Sequence, residues 1–396
     1  MFVFELLDEW FKKNWNTLRA DRNRKAWHNA LSSEQWYGLL ATEDQGPITI
    51  DGRFDDWEDA RRLPYTAQQE TQFARVMVAH GADYLSLLLV KADGQPWTAE
   101  DHLLIGFDSD STGGSHTGDI FPGVRFAQPA DRLLRYLNGT MEMFVYSYFS
   151  IFNRHYKHSG HALVLEYDDV PCDWITDPNS NRWEPWDLIV KYSTYVNTKP
   201  QLTYKPHEIF TIPFQEGTTD AADPDFNNFA MFSRRGPMLE LRIPWMLLGY
   251  SDPSNHELYA FDGCFYDFTY VYRNTTEDLY IEPVLASAAH PLYRSSEFLA
   301  GGREQLQAMG TVFEVDRAPY YYWANWTGGC YCERYKQHAG LLGSFFGAIR
   351  GIPLGANYTW DGQPYMFPLT PLFCECSYEC TRAAPQRGWA DAAARD

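Results

Sequence analysis

From Pro47 onward the chain takes on β character: short runs rich in apolar and β-branched residues alternate with turn residues at close intervals. "PITIDGRF" reads as a strand ending in an Asp-Gly turn, and "FARVMVAHGADYLSLLLVKADG" as two strands about Gly81. "HLLIGFDSDSTGG" reads as a strand running into a glycine-rich acidic loop. Further strands fit "MEMFVYSYFSIF", "HALVLEY", "LIVKYSTYV", "HEIFTIPF", "MLELRIPW" and "CFYDFTYVYR". Strands this short and regularly spaced, with no amphipathic helices between them, predict a mainly β fold built as an antiparallel β-sandwich.

The two ends depart from this pattern. Residues 1–45 form an irregular head that mixes a basic run with a short helical stretch around 32–40. Near the other end Tyr335, Leu341, Leu342, Phe345, Phe346 and Ile349 recur at helical spacing, and Gly351 and Pro353 act as stop signals. A C-terminal helix is therefore predicted within 332–349. The organisation that follows is a head over 1–45, a sandwich over 46–285, a connecting segment with the helix over 286–352, and a loosely ordered Cys/Pro-rich tail over 353–396. Charges arrive by Glu5 with no apolar core before them, so the start does not read as a signal peptide.

Composition narrows the partners. A net charge of -19 argues against nucleic acid, whose affinity rests on Lys and Arg neutralising phosphates. No run approaches about 18 uninterrupted apolar residues, so no membrane-spanning helix is predicted. Aromatic residues make up 16% of this acidic chain, a mix that suits neutral sugars and equally suits an aromatic-rich β core. An extracellular setting would suit a glycan binder. The seven cysteines cannot all pair. Cys330 and Cys332, and Cys374, Cys376 and Cys380, lack the C-x2-C spacing of zinc knuckles, which favours free thiols or a few disulfides over a metal site.

Residues 47–63, "PITIDGRFDDWEDARRL", resemble the entry of family 9 carbohydrate-binding modules and DOMON-like sandwiches, in which a strand, an Asp-Gly turn and a tryptophan follow in fixed order. "DYLSLLLVKADG", "DHLLIGFDSDSTGG" and "MLELRIPWMLLG" resemble later elements of the same plan, so the resemblance spans about 47–285. It implies a sandwich that binds a polysaccharide or oligosaccharide through paired aromatics. From the residues alone, Trp57 is large enough to plug one end of the sandwich. "FVFELLDEWFKKNWNT" resembles the last strand and following loop of a (β/α)8 glycoside hydrolase barrel, which would set Asp8, Glu9 and Trp10 near a sugar subsite. "CERYKQHAGLLGSFF" resembles the helix that closes such barrels, implying a sandwich inserted between last strand and last helix and an upstream barrel domain as partner.

Trp97, Trp183 and Trp186 are the expected sugar contacts, because they stand in proline-flanked loops. Asp108 and Asp110, with Asp119 nearby, form a D-x-D loop that reads either as a structural Ca²⁺ site or as a solvated acidic hairpin. His155, His158 and His161 fit no standard zinc geometry. No motif for acyl transfer, phosphate binding or zinc proteolysis occurs. The expected function is a non-catalytic glycan-binding accessory module of a glycoside-hydrolase-like protein. The alternatives are a glycoside hydrolase using Asp8 or Glu9, and a structural sandwich without ligand.

Overall fold

Strand Tyr84–Lys91 carries "LSLLLV", a nearly unbroken apolar run where a strand with one wet face would alternate. Both of its faces are covered in the folded chain, and the cover determines the architecture. The computed structural model describes residues 5–8, 38–44, 48–58, 60–62, 72–110, 113–116, 124–150, 183–191, 194–198, 201–205, 208–211, 214–220, 222–227, 229–261, 271–276, 278–286, 313–314, 320–326, 330–335 and 373–376.

Two six-stranded sheets make the sandwich. The first runs Gln215–Glu216, Ala230–Arg235, Met238–Pro244, Tyr84–Lys91, Phe73–His80, Arg61–Arg62, antiparallel except for its first pair. The second runs Trp183–Pro185, Thr140–Tyr146, Arg132–Leu137, His102–Asp108, Leu279–Ala286, Tyr320–Tyr321, antiparallel throughout. Leu85, Leu87, Leu89, Leu241 and Ile243 of the first sheet share one core with Leu103, Ile105, Phe107, Leu134 and Ile281 of the second. The fold is mainly β and sandwich-like, as the alternation predicts. Its last strand, Tyr320–Tyr321, comes from beyond the expected boundary at 285.

The opposite face of the first sheet has its own cover. Met77, Ala79 and Leu88 pack against Trp57, with Ile48, Phe54, Val90 and Met238 around them. Trp57 thus lies over the outer face of a sheet, where the sequence placed it at an end of the sandwich. Glu240 stands directly opposite Leu88, which stands opposite Met77, so all three share this face. The Glu240 carboxylate accepts hydrogen bonds from the amides of Asp51, at 2.9 Å, and Gly52, at 2.6 Å, and from Trp57 Nε1, at 2.6 Å. Gly52 has φ +76, and a Cβ there would sit 2.7 Å from Arg235 Cβ, so the turn requires glycine.

Several elements differ from expectation. Residues 48–54 are not a strand; they form an extended segment and turn held by Thr219, whose Oγ1 accepts from Ile50 N and whose amide donates to Ile50 O. The helical elements among the described residues are short 3-10 turns: Asp55–Trp57, Ser147–Phe149, Trp245–Leu248 and Pro253–Asn255. The helix predicted within 332–349 begins on residues that form strand Cys330–Tyr335, and its remainder lies outside the described residues. "HALVLEY" also lies outside them, as do the three histidines.

A separate four-stranded sheet joins the two flanks of the sandwich sequence, in the order Glu5–Leu7, Gly38–Asp44, Cys330–Tyr335, Phe373–Cys376. The first pair is parallel and the others antiparallel. Residues 48–326 therefore lie in sequence between two neighbouring strands of this sheet.

The Glu240 contacts predict a graded loss of stability. Trp57→Phe removes one donor to a buried carboxylate and should cost about 1–3 kcal/mol, whereas Trp57→Ala also empties a buried site and should cost about 3–5 kcal/mol. Urea denaturation of the full chain measures both; equal stability of the three proteins would contradict the contact.

Candidate functional site

Strand register brings a carboxylate and two tyrosines into one row. Asp108, the last residue of its strand, is directly opposite Tyr280, and Tyr280 is opposite Tyr320 on the edge strand. Residues paired in this way lie on the same face of a sheet. The two tyrosines are half-buried, with ring centroids 6.0 Å apart at 58°. Burial pushes the Tyr280 phenol up, with Asp278 and Asp108 adding to the shift.

Beneath and beside this row lies a concentration of acid. Glu282, two residues along the same face, is buried and accepts from the amides of Ala127, at 2.7 Å, and Gln128, at 2.8 Å. Burial pushes its carboxyl up to about 7. Burial also pushes Asp108 up to about 8, helped by the charges of Asp131, Glu282 and Asp110. Asp131 is fully buried; its Oδ2 accepts from Ser109 N, Ser109 Oγ and Asp110 N, and Arg132 pairs with it at 3.2 Å. Asp131 Oδ1 and the Tyr250 hydroxyl have no protein hydrogen-bond partner, although both are buried. The Arg132 guanidinium lies 5.2 Å from the Phe149 ring centroid and against Gly249, where φ is +87 and a Cβ would stand 2.3 Å from Nη2.

The tryptophans expected to contact sugar are placed in the core. Trp97 donates Nε1–H to Pro237 O at 2.8 Å and meets Tyr136 edge-on at 6.2 Å. Trp186 donates to Leu247 O at 3.1 Å, and Trp183 packs on Tyr146 at 5.5 Å. All three are buried, at 6%, 3% and 8% exposure, so little ring face remains for a ligand. A flanking proline signals a loop or strand edge, not an exposed ring. Tyr280 and Tyr320 escaped the sequence reading because their proximity depends on a pairing of segments 40 residues apart.

Asp108 ends its strand and Asp110 follows it in the loop, both buried, while Asp119 lies outside the described residues. Among the described residues no group of three or more His, Cys, Asp or Glu converges in a metal-holding arrangement. Asp8 is buried, with Oδ1 accepting from Gly38 N at 3.0 Å; Glu9 and Trp10 lie outside the described residues.

A second unusual cluster involves two histidines. His80 Nδ1 is 2.7 Å from the Tyr321 hydroxyl, and the ring is stacked on Trp326 at 5.3 Å and edge-on to Trp245 at 6.2 Å. His256 sits 4.6 Å from Trp323, whose Nε1–H donates to Pro253 O. Although part of His80 remains exposed, its ring is enclosed by aromatics, and burial holds its pKa down to about 4, with the charge of His256 acting in the same direction.

In comparisons with protein families, curated proteins and solved structures, the chain matches none.

A histidine kept neutral by folding contributes stability above its unfolded pKa of about 6.5, and that contribution is lost as pH falls toward the folded value. The stability difference between the wild-type chain and His80→Phe should therefore shrink by about 1.4 kcal/mol per pH unit between about pH 6 and pH 4. Denaturant melts of both proteins across this range check it; a difference independent of pH would contradict the enclosure of His80.

Proposed function

We propose that this chain is a glycan-binding β-sandwich module, non-catalytic by itself and accessory to a glycoside-hydrolase-like protein. The observation that carries the reading is the row Asp108, Tyr280, Tyr320 across three neighbouring strands. Neutral sugars present C–H faces that pack on aromatic rings, and this row offers two half-buried rings side by side, with the buried Asp108 carboxyl next to them. The half-buried Asp278 adds an acceptor near Tyr280. The resemblance of "PITIDGRFDDWEDARRL" and "MLELRIPWMLLG" to carbohydrate-binding and DOMON-like sandwiches supports the same reading. The acidic balance of the chain suits an uncharged ligand and disfavours a polyanionic one.

The two tyrosines are half-buried, which suits recognition of a chain end or a short stretch of polymer.

Titration of the full chain against a panel of neutral oligosaccharides tests the proposal. Tyr280→Ala and Tyr320→Ala should each weaken binding about tenfold, or about 1.4 kcal/mol, with unchanged circular dichroism. Trp97→Ala should instead destabilise the fold by about 3–5 kcal/mol. Binding unaffected by both tyrosine variants would remove the patch, and hydrolysis of aryl glycosides abolished by Glu9→Gln would replace the reading with the enzymatic one.

A further inference from the structure

Four of the seven cysteines meet in one place. In the four-stranded sheet, strand Cys330–Tyr335 pairs antiparallel with strand Phe373–Cys376, and the register sets Cys330 opposite Cys376 and Cys332 opposite Cys374. Cys330 and Cys332 are two residues apart on one strand, as are Cys374 and Cys376 on the other. A period of two places all four on one face of the ribbon. The two C-x-C motifs, which match no zinc-knuckle spacing, are thus complementary halves of one arrangement.

Strand geometry decides between the two chemistries open to four such cysteines. Their Cβ atoms mark a rectangle of about 5 Å across the strands and about 6.7 Å along them, so its centre is about 4 Å from each corner. One tetrahedral zinc ion, with Zn–S bonds of about 2.3 Å and bent carbon–sulfur arms, needs every Cβ within about 3.4 Å. The rectangle is too large. A disulfide needs a Cα separation of about 4.4–6.8 Å, and directly opposite residues of an antiparallel pair stand about 4.5 or 5.5 Å apart. The diagonal pairs, Cys330 with Cys374 and Cys332 with Cys376, stand about 8 Å apart, beyond the reach of a disulfide.

We propose that the juxtaposition of Cys330 with Cys376 and of Cys332 with Cys374 makes a pair of stacked cross-strand disulfides that fasten strand Phe373–Cys376 to the sheet shared with Glu5–Leu7 and Gly38–Asp44. Each bond forms by exchange with a small-molecule disulfide of the oxidised-glutathione type. One cysteine thiolate attacks it, forms a mixed disulfide and releases one small thiol; the opposite cysteine then attacks the mixed disulfide and releases the second. Two protein S–H groups and one small-molecule S–S bond become one protein S–S bond and two small thiols. Such bonds persist in oxidising compartments. They close a loop of about 40 residues, 333–373, so the first to form removes most of the unfolded-state freedom and the second adds little. The proposal is independent of glycan binding.

The test uses the full chain equilibrated with oxidised glutathione, alkylated and digested with trypsin without reductant. Peptides 318–334 and 351–382 should run as one linked species that separates only after reduction. In variants, Cys330→Ser/Cys376→Ser and Cys332→Ser/Cys374→Ser should each keep the link. The diagonal Cys330→Ser/Cys374→Ser should lose it at least tenfold while far-ultraviolet circular dichroism is unchanged. Free thiols at all four positions in the wild-type digest, which requires no variant to fold, would overturn the proposal. A link that survives in the diagonal variant through Cys376 or Cys380 would also overturn it, as would one zinc ion bound per reduced chain.

Discussion

A carboxylate with no exposed surface and, among the described residues, no basic partner, that of Glu240, sets the frame of this protein. Removing such a group from water costs several kcal/mol unless its lone pairs are filled. Here three N–H donors fill them, two from the Asp51-Gly52 turn and one from Trp57. Burial still outweighs those donors and pushes the carboxyl up to about 7. The contact joins residues nearly 190 positions apart. It fixes the turn, seats Trp57 over Met77 and Leu88, and closes the outer face of the first sheet. That closure is why "LSLLLV" can be apolar on both faces.

The sequence made the class of fold legible because short runs rich in apolar and β-branched residues, bounded by turn residues, mark strands, and those at 73–80, 84–91, 102–108, 140–146 and 238–244 stand out plainly. It also exposed the two motifs that meet at Glu240, one in "IDGRFDDW" and one in "MLEL", but not that they meet. Residues 48–54 look like a strand because Ile48 and Ile50 alternate with polar neighbours. Their backbone partners are instead Thr219 and the Asp56 carboxylate, which compete with a sheet ladder. The tryptophans misled for a related reason: a large ring near a proline is conspicuous in sequence, and conspicuous rings are what a sandwich core most needs to bury. Tyr280 and Tyr320 are inconspicuous, and only the pairing of Leu279–Ala286 with Tyr320–Tyr321 gives them meaning.

The same constraint orders the candidate functions. With the first sheet closed, the polar and aromatic capacity of the sandwich falls on the end of the second sheet, where Asp108, Glu282 and Asp131 crowd together and two tyrosine rings remain partly open. Nearby, segment 320–326 supplies both Tyr320 of this patch and the Tyr321, Trp323 and Trp326 rings around His80. One short stretch thus holds one side of the proposed binding face and seals a core cluster, so the face is anchored by packing. The chain flanks meet in their own sheet, where cysteine register, not spacing, carries the information.

Residue-resolved hydrogen exchange on the full chain tests this division most directly. The account predicts that the Asp51 and Gly52 amides exchange as slowly as those of Leu87 and Leu241, because the Glu240 contact opens only with global unfolding. It predicts faster exchange at 278–280 and 320–322, slowed when a bound oligosaccharide is present. Rapid exchange at Asp51 and Gly52, at rates typical of surface loops, would contradict it.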